Sequence, residues 1–243
     1  MLLAIDIGNT RIKCAVFEQH TIIEHFVFDK EDADKKFKEI LKSHPKISHG
    51  ITSSVGKMKE SVIKNLEKVI ALEKINHQTK VPFKNLYATP TTLGIDRIVL
   101  AAGASIKYPN QNRLIIDVGT CITYDFVSDK NEYLGGAISP GIRMRYQSLN
   151  NLTAKLPLLE TKEPKNIIGN STNNSIHSGV VIGVLKEIEG VIDAYCLKYK
   201  DLTVILTGGD TNFLSKQLKS SIFANSNFLL EGLNFILQFN SKE

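Results

Sequence analysis

The 243-residue sequence has no tryptophan, three methionines and three cysteines. Cys14, Cys121 and Cys196 make no C-x-x-C pair and are odd in number, which excludes a disulfide framework and points to reduced thiols. No apolar run reaches the roughly 18 to 20 residues that a bilayer-crossing helix needs, and no basic segment leads into an apolar one after Met1. Neither a membrane partner nor a signal peptide is therefore expected, and the expected location is cytoplasmic. Arginine-rich runs and aromatics interleaved with basic residues are also missing. The net charge of +5 comes from lysines that alternate with Glu and Asp over 30–42 and 57–68, the pattern of a solvated helix face. No nucleic acid partner is expected.

What is present is ordinary in amount and unusual in arrangement. A hydrophobic content of 42% suffices for one large or two small cores without staples. Leu3-Ala4-Ile5 runs into Asp6-Ile7-Gly8-Asn9-Thr10, and near the midpoint Leu114-Ile115-Ile116 runs into Asp117-Val118-Gly119-Thr120. A second strand-like run follows each, Ile12 to Phe17 and Ile122 to Val127. A strand ending in Asp delivers a carboxylate to a metal or phosphate site, and a Gly two residues on permits close backbone approach to a phosphate. One such turn is common hairpin chemistry, but two in matching strand contexts suggest duplicated lobes facing one cleft, holding a polyphosphate on exposed backbone N–H groups.

The spacing predicts strands over 2–7, 11–17 and 21–28 with a turn at Glu18 to His20, then helices over 31–43 and 57–69 around an apolar stretch at 50–55. Pro82 and Pro90 bracket an irregular segment holding Tyr87, and an Ala-rich buried helix follows over 95–106. Strands over 113–118, 121–127 and 132–138 and a helix over 142–152 repeat the order. The polar, proline-punctuated segment 156–172 reads as a long functional loop. The longest helical pattern spans 175–199, with Gly179 and Gly183 on one face, a spacing that lets another helix approach. Domain limits of 1–110 and 111–243 follow.

Three more constellations stand out. Gly94-Ile95-Asp96-Arg97 sets a carboxylate and a guanidinium at a helix start, either as a general base and a substrate fork or as a helix-end charge with a surface arginine. Gly135-Gly136-Ala137-Ile138-Ser139-Pro140-Gly141 lines a cleft or makes a bulged turn. In Gly169-Asn170-Ser171-Thr172 a hydroxyl either caps the next helix or, at Thr172, touches substrate. Thr207-Gly208-Gly209-Asp210 is a further phosphate-type turn or a plain β-to-α link.

Taken in order, Asp6-x-Gly8-Asn9-Thr10, Gly94-x-Asp96-Arg97, Asp117-x-Gly119-Thr120-x-x-Thr123, Gly135-Gly136-x-Ile138-x-Pro140-Gly141, Asn170-x-Thr172 and Thr207-Gly208-Gly209 resemble a type III pantothenate kinase over nearly the whole chain. The resemblance implies an α/β fold of two duplicated actin-like, ribonuclease-H-like lobes with a cleft between them, acting as a homodimer. It implies transfer of phosphate from ATP to pantothenate, with Mg²⁺ and a monovalent cation, K⁺ or NH₄⁺. By motif, Asp6, Ile7, Gly8, Asn9, Thr10, Arg11, Ile12, Lys13 and Thr120 would bind ATP, and Asp117 would hold the monovalent cation. Asp96 would be the proton acceptor, with Tyr87, Gly94, Ile95, Asp96, Arg97 and Thr172 on pantothenate, Thr172 from across the dimer. Cys121 is a departure, since it sits where many members of that family carry Ala. Two rival readings are a same-fold kinase or phosphatase for another small molecule, and a nucleotide-binding regulator, since some relatives were first described as accessory transcription factors. A regulator without turnover would be expected to lack Asp6 or Asp96, and both are present.

Overall fold

The computed structural model describes residues 1–8, 10–54 and 58–241. The strands are β1 (Leu2–Ile7), β2 (Arg11–Glu18), β3 (Thr21–Asp29), β4 (His49–Ser54), β5 (Ala71–Lys74), β6 (Lys84–Asn85), β7 (Asn112–Val118), β8 (Cys121–Val127), β9 (Glu132–Pro140), β10 (Leu202–Thr207) and β11 (Phe223–Ala224). The helices are α1 (Ala33–Ser43), α2 (Glu60–Glu67), α3 (Ile95–Lys107), α4 (Ile142–Asn151), α5 (Thr172–His177), α6 (Gly183–Lys198), α7 (Thr211–Leu214) and α8 (Phe228–Asn240). They form two compact units. Unit 1 is Met1–Pro109, Asn131–Tyr133 and Asn227–Glu243, and unit 2 is Asn110–Lys130 and Leu134–Ser226.

The sheets repeat one topology. In unit 1 the order is β3-β2-β1-β4-β5, with β1 antiparallel to β2 and parallel to β4. In unit 2 it is β9-β8-β7-β10-β11, with β7 antiparallel to β8 and parallel to β10, and β6 pairs with the first residues of β9. Matching order and matching strand directions make the duplication a property of the fold and not of two short motifs.

Burial explains why these runs are strands. Leu3, Ile5 and Ile7 of β1, with Ile12, Cys14 and Val16 of β2, pack on Phe37 and Ile40 of α1 and on Val62 and Leu66 of α2. Ala4 is buried too, so β1 is covered on both faces and reads as a continuous apolar run. In unit 2, Leu114, Ile116 and Val118 of β7, Tyr124 of β8 and Leu206 of β10 pack on Val184, Ile188 and Ile192 of α6.

Some expected boundaries move. The helix expected over 31–43 starts at Ala33, after a 3-10 turn at Lys30–Asp32, and that expected over 57–69 narrows to Glu60–Glu67. Val55, Gly56 and Lys57 fall outside the described residues. The long helix is interrupted: α5 ends at His177, a π-helical turn covers Ser178–Ile182, and α6 starts at Gly183. Glycine is a poor helix former, and the hydroxyl of Ser178 donates to the Ile167 carbonyl of the preceding loop. A Cβ built on Gly179 or Gly183 meets nothing within 4 Å, so the close helix partner that their spacing suggests is not found among the described residues. The C-terminal helix α8 groups with unit 1 although the 110/111 boundary assigns it to the second lobe. The reason is close packing, since a Cβ on Gly232 would lie 2.7 Å from the Val99 carbonyl oxygen of α3.

Candidate functional site

In unit 1 the β1–β2 register sets Asp6 opposite Lys13 and Ile7 opposite Ile12. The turn is closed by the Gly8 N–H donating to the Arg11 carbonyl at 3.1 Å, which brings Ile7, Gly8, Thr10 and Arg11 to one end of the sheet. Asn9, expected in this hairpin, lies outside the described residues. Parallel pairing with β4 sets Ser53 beside Asp6, and the Ser53 hydroxyl donates to Asp6 Oδ1 at 3.1 Å. Burial pushes the Asp6 carboxyl up to about 6; the Ser53 bond and the Lys13 charge act downward, and the negative charge of Asp96 adds to the rise. Ser53 was not foreseen, because only strand pairing joins it to Asp6; the one sequence signal was a hydroxyl at the end of an apolar run.

Asp96 stands in the first turn of α3, after Gly94 and Ile95, where the helix dipole favours an anion. Its Oδ1 accepts the Arg97 backbone N–H at 2.9 Å. A Cβ on Gly94 would run into that same oxygen, so glycine here clears the space around the carboxylate. Arg97 is buried, and its guanidinium lies 5.8 Å from the centre of the Tyr87 ring. Tyr87 packs in turn on Tyr133, with ring centres 6.1 Å apart. The irregular proline-bracketed segment thus brings Tyr87 to the head of α3.

In unit 2, Asp117 pairs with Thr123 across the hairpin and with Thr207 on parallel β10, at the carboxyl ends of both parallel strands. Ligands of open α/β sheets bind at such ends. The Gly119 N–H donates to the Cys121 carbonyl at 2.9 Å, and Thr120 is exposed at the tip. Gly208 has φ of 101°, a conformation that favours glycine, and a side chain there would strike Asp117 and the Val118 carbonyl. The Gly141 N–H donates to the Thr120 carbonyl at 3.0 Å. Glycine-bearing turns therefore converge on the second hairpin.

Thr172 opens α5, but the cap is Ser171, whose hydroxyl accepts the Asn174 N–H at 3.3 Å. Thr172 is exposed beside a cavity of about 700 Å³ within unit 2, which Arg145, Leu149, Ile176 and Gly179 also line. Among the described residues no group of three or more His, Cys, Asp or Glu could hold a metal ion. No helix is long and apolar enough to cross a membrane.

The sequence profile of the type III pantothenate kinases matches residues 2–194. A type III pantothenate kinase of Flavobacterium johnsoniae is 52% identical over 239 residues, with 98% of each chain covered. Among solved structures, a conserved Baf family protein from Campylobacter jejuni is 21% identical with a TM-score of 0.64, covering 99% of this chain and all of that one. A glucokinase from an Antarctic psychrotroph is 14% identical with a TM-score of 0.53 and 98% of each chain covered. Those two likenesses show the actin-like fold alone; the profile and the relative from F. johnsoniae decide the family. The chain belongs to the type III pantothenate kinases.

Proposed function

We propose that Asp96 is the general base of the reaction, and that the hairpin from Asp6 to Lys13 binds the phosphates of ATP. The overall reaction is ATP-dependent phosphorylation of pantothenate to 4'-phosphopantothenate, the first step of coenzyme A biosynthesis. The observation that carries the assignment is the Asp96 carboxylate at the head of α3, in the space Gly94 leaves, close enough for its charge to act on Asp6. The pantothenate hydroxyl gives its proton to Asp96 as its oxygen bonds to the γ-phosphorus, while the bond to the bridging oxygen breaks and ADP leaves. Such transition states are loose, so catalysis is chiefly positioning and charge stabilisation.

Arg97 is suited to fork onto the pantothenate carboxylate, with the Tyr87 ring holding the guanidinium in place. Gly94 and Ile95 contact the same substrate through the head of α3, and Thr172, released from capping by Ser171, contacts it as well. In unit 2, Thr120 contacts ATP and Asp117 holds a monovalent cation, K⁺ or NH₄⁺. Carboxylate and carbonyl oxygens suit such a hard ion, and Asp117 and the Val118 carbonyl both crowd the Gly208 position. Mg²⁺ fits as a companion of ATP: this ion keeps several waters and takes substrate phosphates with one or two carboxylates. Asp6 would supply the carboxylate, and the ion, when bound, would neutralise phosphate charge. The working form is a homodimer in the cytoplasm, where ATP and reduced thiols coexist.

The test is ADP release from ATP, with and without pantothenate and with K⁺ or Na⁺. Turnover that needs both pantothenate and K⁺ is expected. Pantothenate-independent ADP release, or equal rates in both salts, would overturn the substrate or the cation assignment respectively.

A further inference from the structure

Arg145 of α4 and Glu187 of α6 have no part in the roles above, yet together they tie down the turn behind the second hairpin. Arg145 Nε donates to the Pro140 carbonyl at 2.9 Å, and Nη2 donates to the Ser139 hydroxyl at 2.9 Å and to Glu187 Oε2. The other Glu187 oxygen accepts the Tyr124 hydroxyl at 2.8 Å, which joins β8 to the same pair. Burial alone would raise the Glu187 carboxyl, but bonds from Arg145, Ser139 and Tyr124 hold it below the usual range. The Arg145 and Glu187 side chains are 22% and 28% exposed, so this is not a solvated surface pair of the kind that contributes little.

One peptide group links this pair to the hairpin. The carbonyl of the Pro140–Gly141 peptide accepts from Arg145, and the N–H of the same peptide donates to the Thr120 carbonyl. A trans peptide is planar, with its C=O and N–H pointing opposite ways, so whatever fixes one fixes the direction of the other. Gly141 lies so close to the Gly119 and Thr120 carbonyls that a side chain would strike both, which leaves the hairpin tip little room to shift independently.

We propose that Arg145 and Glu187 are positioning residues for phosphoryl transfer, orienting the Pro140–Gly141 peptide so that it holds the Gly119–Thr120 tip in its ATP-contacting conformation. This rests on the reading that Thr120 contacts ATP. An ammonium cannot span the Pro140, Ser139 and Glu187 acceptors that the guanidinium fork reaches together.

The test compares Arg145→Lys, Glu187→Gln and their double variant with Thr120→Val, measuring both Michaelis constants, kcat and the melting temperature. Misplacement of a substrate-contacting loop carries a large penalty, so each clamp variant should raise the ATP KM about tenfold. The pantothenate KM should stay within about twofold, and the double variant should be no worse than the worse single one, because both act through one peptide. A merely structural role would lower the melting temperature without that split. If the pantothenate KM rises alone, Arg145 acts on the Thr172 cavity and the proposal is wrong. If Thr120→Val raises the ATP KM while the clamp variants do not, the clamp is wrong and the hairpin reading stands; if Thr120→Val has no effect, both fall. Should Arg145→Lys fail to fold, Tyr124→Phe removes only one hydroxyl from Glu187 and should raise the ATP KM about threefold; an unchanged value would overturn the proposal.

Discussion

At the residue scale the two carboxylates of the proposed site in unit 1, Asp6 and Asp96, make different predictions. Asp96→Asn keeps the shape at the head of α3 but cannot take a proton, so kcat should fall about 10² to 10⁴-fold while ATP binding, read by calorimetry, survives. Wild-type turnover in that variant would reduce Asp96 to a helix-end charge. Asp6 differs because its pKa is raised from an ordinary 3.8 to about 6. The folded protein therefore binds more protons than the unfolded chain between about pH 4 and pH 6, and stability falls as pH rises through that window. Asp6→Asn removes this cost and should be more stable than the wild type at pH 7 by about 3 kcal/mol, with the difference gone near pH 4, while activity falls. A wild-type denaturation midpoint at pH 7 would mean that solvent already relieves the charge. For Arg97→Lys the pantothenate KM should rise sharply and the ATP KM move little, since an ammonium loses the bidentate geometry. Equal damage to both constants would point to the packing of Arg97 on Tyr87 and not to substrate contact.

At the scale of elements, α3 is backed by α8. Gly103 and Gly232 meet where these helices cross, a Cβ on Gly103 lying 3.0 Å from the Gly232 Cα. Gly232→Ala should therefore force the helices apart and cost about 1 to 3 kcal/mol in urea unfolding. An unchanged midpoint would show that the crossing has slack. Element existence was legible wherever a period was strong. β1, β2, β3, β7, β8 and α3 fall where alternation and the Ala-rich stretch indicate, within a residue or two. The elements that the sequence reading did not supply are β5, β6, β11 and α7, which are too short to show a period, and α8, although Glu231, Asn234 and Gln238 give it one polar face at helical spacing. The π turn at Ser178–Ile182 was invisible too, since its Ser178 anchor is the carbonyl of Ile167 in a loop.

At the scale of the whole molecule, the proposed homodimer leads to a complementation test. If Thr172 reaches the partner's pantothenate site, mixing inactive Asp96→Asn protomers with inactive Thr172→Arg protomers should restore about a quarter of wild-type activity. Half the dimers are then hybrids, each with one intact site of two. Thr172→Arg leaves the helix cap on Ser171 untouched, so its inactivity would not come from a lost cap. A monomer by sedimentation that is fully active at the same concentration would rule out the shared site.

The amino-acid sequence by itself determined the positions of the glycine-bearing turns and, through their order, the family. Asp6 to Lys13, Gly94 to Arg97 and Asp117 to Thr120 are contiguous, and turn chemistry is written in neighbouring residues. Matching sheet orders could be suspected from two similar hairpins but were decided by parallel pairing of β1 with β4 and of β7 with β10. Only the tertiary structure decided that Ser53 meets Asp6, that burial holds the Asp6 carboxyl high, and that Tyr87 packs on Arg97. It alone joined Arg145 and Glu187, 42 positions apart, behind the second hairpin. Hydrogen bonds and desolvation depend on distance in space, and side chains that strand pairing or helix packing brings together leave no periodic trace along the chain.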